Sequence, residues 1–66
     1  MPQECIAIED SRTGIRSAVA AGMRCLAVHD ARTPRTSAIA AGAHRWTSSL
    51  AEIRVEDLWE MRTAPE

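Results

Sequence analysis

Apolar residues fall in two short runs of similar make-up, "CIAI" at 5–8 and "CLAV" at 25–28. Each is continuous rather than alternating and carries β-branched residues, which suits a buried parallel strand better than a half-exposed one. After each run the pattern changes to helical spacing. Ile15, Val19 and Met23 recur at that spacing, Ser11 or Asp10 offers a helix cap, and Gly22 offers a stop. Thr33-Pro34 reads as N-cap and first helical residue of a second helix that ends at Gly42. "AHRW" at 43–46 predicts a short edge strand, and Ser48 or Ser49 opens a further turn, "SLAEI". "VEDLWEM" at 55–61 predicts a terminal helix with Val55, Leu58, Trp59 and Met61 facing inward. Residues 63–66 read as a frayed tail.

The fold class this predicts is α/β, a partial Rossmann-like parallel sheet of two to three short strands with flanking helices. The organisation predicted is one domain over residues 1–62. Sliding the chain by twenty residues lays "CIAIEDSRTGIRSAVAAG" over "CLAVHDARTPRTSAIAAG", with ten of eighteen positions identical. Residues 5–22 and 25–42 therefore read either as a duplicated βα unit or as two alanine-rich βα units that look alike by convergence. Two copies fall short of the three a solenoid needs. Between the units Glu9 becomes His29, Ser11 becomes Ala31 and Gly14 becomes Pro34. The shared residues serve packing, and those peculiar to the first unit are the candidates for chemistry.

Composition narrows the picture. The chain has 66 residues, 45% of them apolar, with no Phe or Tyr and two Trp. A chain this short buries only about 60% of its unfolded surface, and nothing here replaces the missing large side chains. That suggests a piece of something larger. Net charge is −1, which supplies no basic field for nucleic acid. All eight basic residues are Arg, so no lysine is present as a phosphate-binding point charge. Cys5 and Cys25 lack metal or redox spacing and read as free buried thiols of a reducing, cytoplasmic setting. No apolar stretch approaches a membrane span, and "MPQEC" has no signal-peptide pattern. His29, His44, Trp46 and Trp59 read as structural or exposed, and Glu52, Glu56, Asp57 and Glu60 as a solvated helix face.

The chemistry concentrates at Glu9-Asp10, where a strand hands over to a helix. In open α/β sheets, ligands bind beyond the carboxyl ends of the strands. Two adjacent carboxylates near a low-dielectric sheet repel each other. A hard cation such as Mg²⁺ relieves that conflict with one or two carboxylates and several waters. The helix start after Ser11 favours an anion beside it. The plainer alternative is that Asp10-Ser11 merely caps the helix.

The segment "ECIAIEDSRTGIRSAVAAGMRCLAV", together with "AGAHRWTSSLAEI", resembles the C-terminal part of haloacid dehalogenase (HAD) superfamily phosphohydrolases, in the phosphoglycolate phosphatase and β-phosphoglucomutase branch. The resemblance runs from about Pro2 to Met61. It implies a fragment of a three-layer α/β/α core. It implies that Asp10 is a direct Mg²⁺ ligand, that Glu9 binds the metal directly or through water, that Ser11 supports the loop, and that Gly14 lets the helix start approach its neighbours. The family works through a phosphoaspartyl intermediate on a phosphorylated small molecule. Its nucleophile lies in a D-x-D motif and its phosphate site uses a lysine; this chain has neither. The cap that selects substrate is also missing. The expectation is a Mg²⁺-binding fragment of a phosphatase or phosphomutase that holds no catalytic residue of its own, binds metal weakly and is inactive alone. Its exposed sheet edge would self-associate or pair with the missing N-terminal part. The alternative is a small α/β interaction module without catalysis, binding a partner chain, with no nucleic acid or membrane partner in either case.

Overall fold

The computed structural model describes residues 5–63. The parts of the predicted domain and tail at residues 1–4 and 64–66 lie outside them. The elements run β1 (Ile6–Glu9), α1 (Arg12–Ala20), β2 (Arg24–Val28), α2 (Arg35–Ala40), β3 (Arg45–Thr47), a single 3₁₀ turn (Leu50–Glu52) and α3 (Val55–Thr63). The strands form one parallel sheet in the order β1-β2-β3. Ile6 stands opposite Arg24, and Leu26 opposite Arg45. The predicted α/β class and short parallel sheet are therefore present, with three strands.

The central strand explains its own sequence. Cys25, Leu26 and Ala27 are fully buried, because β2 has a strand on either side and packing on both faces. Cys25 and Ala27 face α1 and α2, where they join Ile15, Ala18, Ala38 and Ala41 in one core, with Ala7 and Trp46 packed at its margin. Leu26 alternates to the opposite face. α3 lies against β1 and buries Met61. Alanine dominates the core, so the helices sit close to the sheet and little apolar area is buried per residue.

The repeated sequence makes a repeated helix ending. Gly22 and Gly42 adopt φ of 83° and 101°, a left-handed turn that glycine enters without steric cost. The Gly22 N–H donates to the Val19 carbonyl and the Met23 N–H to the Ala18 carbonyl, each at 3.0 Å. Gly42 and Ala43 do the same to Ile39 and Ala38, at 3.0 and 3.2 Å. Both helices thus satisfy their last carbonyls and turn straight into the next strand.

Three expectations need correction. The α2 cap is Pro34, which offers no side-chain acceptor, and Thr33 is buried rather than capping. The reason is that Asp30 draws the preceding loop tight, as described below. Cys5 is exposed, because the regular strand starts only at Ile6; Cys25 alone is a buried thiol. In α3, Met61 is buried and Leu58 half-buried, but Val55 and Trp59 are 80% and 60% exposed. Asp57 sets that rotation. Its carboxylate accepts from the Arg45 guanidinium at 3.3 Å and from the Arg54 N–H at 2.9 Å, so its side of α3 turns toward β3. Trp59 turns outward under the Arg62 guanidinium, 4.9 Å from the ring centre.

Candidate functional site at the strand ends

The carboxyl ends of the three parallel strands share one rim, and every candidate residue of the first unit lies on it. β1 ends at Glu9. Because Ala7 faces the helical core, alternation turns Glu9 to the same side, toward the start of α1. Asp10 follows the strand and is exposed. Ser11 is the N-cap of α1, with an extended backbone, and its hydroxyl oxygen accepts the Gly14 N–H at 3.1 Å. Capping thus falls to Ser11, and Asp10 takes no part in it.

Gly14 has a steric role that joins these residues. A Cβ built there would overlap the Glu9 carboxylate oxygen Oε2 and stand 2.9 Å from Glu9 Cδ and 3.1 Å from Ser11 Oγ. The bare Cα is therefore the floor on which the Glu9 carboxylate rests. This places a negative charge beside the first turn of α1, at the positive end of the helix dipole. Glu9 also reaches the buried thiol of Cys25 electrostatically. Burial is the larger cause that pushes that thiol above its ordinary range, and the Glu9 charge adds to it.

The second unit uses its acid differently. Asp30 Oδ1 accepts the Arg32 N–H at 2.8 Å and the Thr33 N–H at 2.9 Å, and the Asp30 N–H returns to the Thr33 carbonyl at 3.0 Å. These bonds, with smaller help from the Arg32 and His29 charges, hold the Asp30 carboxyl below the usual aspartate range. Asp30 is thus a loop-closing residue. At the third strand, the Thr47 hydroxyl donates to the Ser49 carbonyl at 2.9 Å and accepts the Ser49 N–H at 3.2 Å. Ser49 caps the 3₁₀ turn, and Ser48 donates to Glu52 at 2.9 Å. Asp30 beyond β2 and Thr47, Ser48 and Ser49 beyond β3 are thus taken up by local bonds, whereas among the described residues Glu9 and Asp10 have no such bond.

The chain matches no family model, no curated protein and no solved structure. Glu9 and Asp10 are hard oxygen ligands, and their number is what Mg²⁺ accepts from a protein when water and phosphate oxygens complete its shell. They do not make a closed cage. Among the described residues there is no group of three or more His, Cys, Asp or Glu able to hold a metal ion. Any Mg²⁺ held here would have at most these two acids as protein ligands, with water for the rest. No helix of the described residues is long and apolar enough to cross a membrane.

Sequence reasoning missed one residue with a specific bond. His44 accepts the Cys25 backbone N–H on its Nδ1 at 3.0 Å. Only its place just before β3 could have signalled this.

Proposed function

We propose that the chain supplies the metal-binding acids of a haloacid dehalogenase-like, Mg²⁺-dependent phosphohydrolase or phosphomutase, with the nucleophile provided by residues outside these 66. The observation that carries this reading is the Glu9 carboxylate resting on bare Gly14 beside the first turn of α1, at the carboxyl rim of a parallel sheet. Glu9, held there, would offer a cation one oxygen donor and the exposed Asp10, the next residue, would have to swing round to offer a second, while the helix start favours an anion nearby. The bound metal would neutralise phosphoryl charge. In this chain Asp10 and Glu9 would hold it, Ser11 would fix the loop and Gly14 would keep the space open. Without a D-x-D or a lysine, the chain by itself turns over no phosphoryl group. The buried Cys25 thiol would suit a reducing, cytoplasmic setting, and the rest of a three-layer core would pair along the β1 edge.

Mg²⁺ titration followed by NMR tests the site. The amides of residues 9–14 should shift with weak affinity in the starting chain and stay still in Asp10→Asn. Equal shifts in both, or none in either, remove the metal reading. Hydrolysis of p-nitrophenyl phosphate that survives repurification would overturn the inactivity.

A second reading rests on a different observation. Ile8 on β1 and Val55 and Trp59 on the adjoining α3 are all exposed, and β1 is an edge strand. This favours a small interaction module that pairs with itself or with a partner chain. Size-exclusion across a concentration series tests the exposed edge. A strictly monomeric, cooperatively folded species counts against self-pairing.

A further inference from the structure

We propose that His44 is a protonation-sensitive clasp that fastens the start of β3 to the central strand. This inference does not depend on the phosphohydrolase reading. β3 has three residues and is an edge of the sheet. Its regular pairing with β2 begins at Leu26 opposite Arg45. One position earlier the Cys25 carbonyl accepts the His44 N–H at 2.9 Å, and the Cys25 N–H donates to His44 Nδ1 at 3.0 Å. One residue thus serves both main-chain groups of Cys25. Its imidazole stands where a regular parallel strand would present a carbonyl. The neighbouring Arg24 N–H goes the other way, to the Cys5 carbonyl at 3.3 Å, so β1 does not reach the Cys25 N–H. Cys25 itself is fully buried. Its N–H therefore depends on the imidazole.

The bond dictates the ring's proton. A nitrogen that accepts carries no hydrogen, so neutral His44 holds its proton on Nε2. Protonating Nδ1 turns the acceptor into a donor that faces a main-chain donor. The rung is then lost, and a buried N–H without a partner costs more than the bond it made. Charged groups on the adjoining elements do not substitute for it. Arg24 of β2 and Arg45 of β3 flank the pair in sequence. The Asp57 carboxylate of α3 is taken up by Arg45 and the Arg54 N–H. Arg35 of α2 lies over Trp46. Glu9 of β1 acts on Cys25 from the opposite strand. With the imidazole bond gone, β3 keeps its main-chain rungs, His44 N–H to the Cys25 carbonyl and His29 N–H to the Thr47 carbonyl, each at 2.9 Å, and its leading end is held by one bond in place of two.

Hydrogen exchange of the Cys25 amide, read by NMR on the full chain, tests the clasp. Asn at position 44 presents an oxygen acceptor that does not titrate, and Ala presents none. In the starting chain, protection of Cys25, corrected for intrinsic exchange, should fall about ten-fold or more between about pH 7.5 and about pH 5. In His44→Asn it should change little across that range. In His44→Ala it should be low at both ends. Nitrogen-15 spectra at the higher pH should place the ring proton on Nε2. The clasp is overturned by the same pH response in the starting chain and His44→Asn, by full protection in His44→Ala, by a ring proton on Nδ1, or by a Cys25 amide that exchanges at the unfolded rate at the higher pH.

Discussion

Gly14→Ala tests the geometry of the site through the sign of a small energy. At an unencumbered helical position, replacing Gly by Ala stabilises by about 0.5–1 kcal/mol. Gly14 has a helical backbone within α1 and no positive φ, so no backbone strain opposes that gain. Against it stands the Glu9 carboxylate, which the new methyl would overlap, with Glu9 Cδ at 2.9 Å. Glu9 has a flexible side chain and can swing away. In doing so it leaves the start of α1, which forfeits about 0.3–1 kcal/mol of favourable charge–dipole interaction. Ser11 Oγ, 3.1 Å from the new Cβ, must also yield slightly while it holds the Gly14 N–H. The two effects are of similar size, so the single substitution should leave stability nearly unchanged. In a Glu9→Ala background the obstacle is absent, and the same substitution should stabilise by about 0.5–1 kcal/mol. Urea unfolding of the four variants yields the coupling as a double-mutant cycle. An equal gain in both backgrounds would refute the packing of the Glu9 carboxylate on Gly14, and the site reading with it.

Other outcomes follow from the core and the loops. Ile15 is fully buried, and Ile15→Ala should cost about 2–5 kcal/mol. A chain of this length has about 3–10 kcal/mol in total. Far-ultraviolet circular dichroism should therefore show partial or complete loss of structure, and a cooperative fold of unchanged midpoint would contradict the assigned core. Asp30→Ala should destabilise the fold at neutral pH by freeing the Arg32 and Thr33 N–H groups. Because the folded Asp30 carboxyl lies below its ordinary value of 3.8, its contribution is present above that value and lost as pH falls through the folded one. The urea midpoints of the two chains should therefore converge in strong acid. Under native conditions iodoacetamide should modify the exposed Cys5 and spare Cys25, with Cys25 reacting only on unfolding. Because the buried Cys25 thiol is held above its ordinary value of 9.0, stability should fall as pH rises through that value, and Cys25→Ala should remove that alkaline loss.

The elements legible in the sequence were those governed by local rules. "CIAI" and "CLAV" had to be strands of a parallel sheet, and the Ala-Ala-Gly endings had to stop helices, because only glycine takes that turn cheaply. Ser11 as the cap was one of the two alternatives the pattern left. What was not legible depends on contacts distant in the chain. The rotation of α3 follows from Asp57 reaching Arg45 across β3, which no periodicity within "VEDLWEM" encodes. The capping of α2 was misread because Asp30 preorganises the loop and leaves Thr33 buried. His44 stands nineteen residues from its partner and carries no pattern at all. In the candidate site, the presence of two acids was readable, but the seating of Glu9 on Gly14 was not, since it joins the end of a strand to the third residue of the following helix.

The two βα units use their acids differently. Asp10 and Asp30 occupy equivalent sequence positions, and the helix endings that follow them match bond for bond. Their beginnings differ. In the second unit His29, Ala31 and Pro34 replace the Glu, Ser and Gly, so neither the hydroxyl cap nor the glycine floor is available. There the aspartate turns back and closes its own loop on two N–H groups. In the first unit Ser11 satisfies the helix start, which relieves Asp10 of that task and leaves it exposed, while Gly14 makes room for Glu9. An acid needed only for structure would be expected to resemble Asp30. The first unit instead retains two carboxylates without a structural bond of that kind and adds a glycine at a helix position where alanine is intrinsically better. A local sacrifice of helix propensity that leaves space for the Glu9 carboxylate is what the proposed metal site at the end of β1 requires, and the second unit, which lacks it, could not serve in the same way.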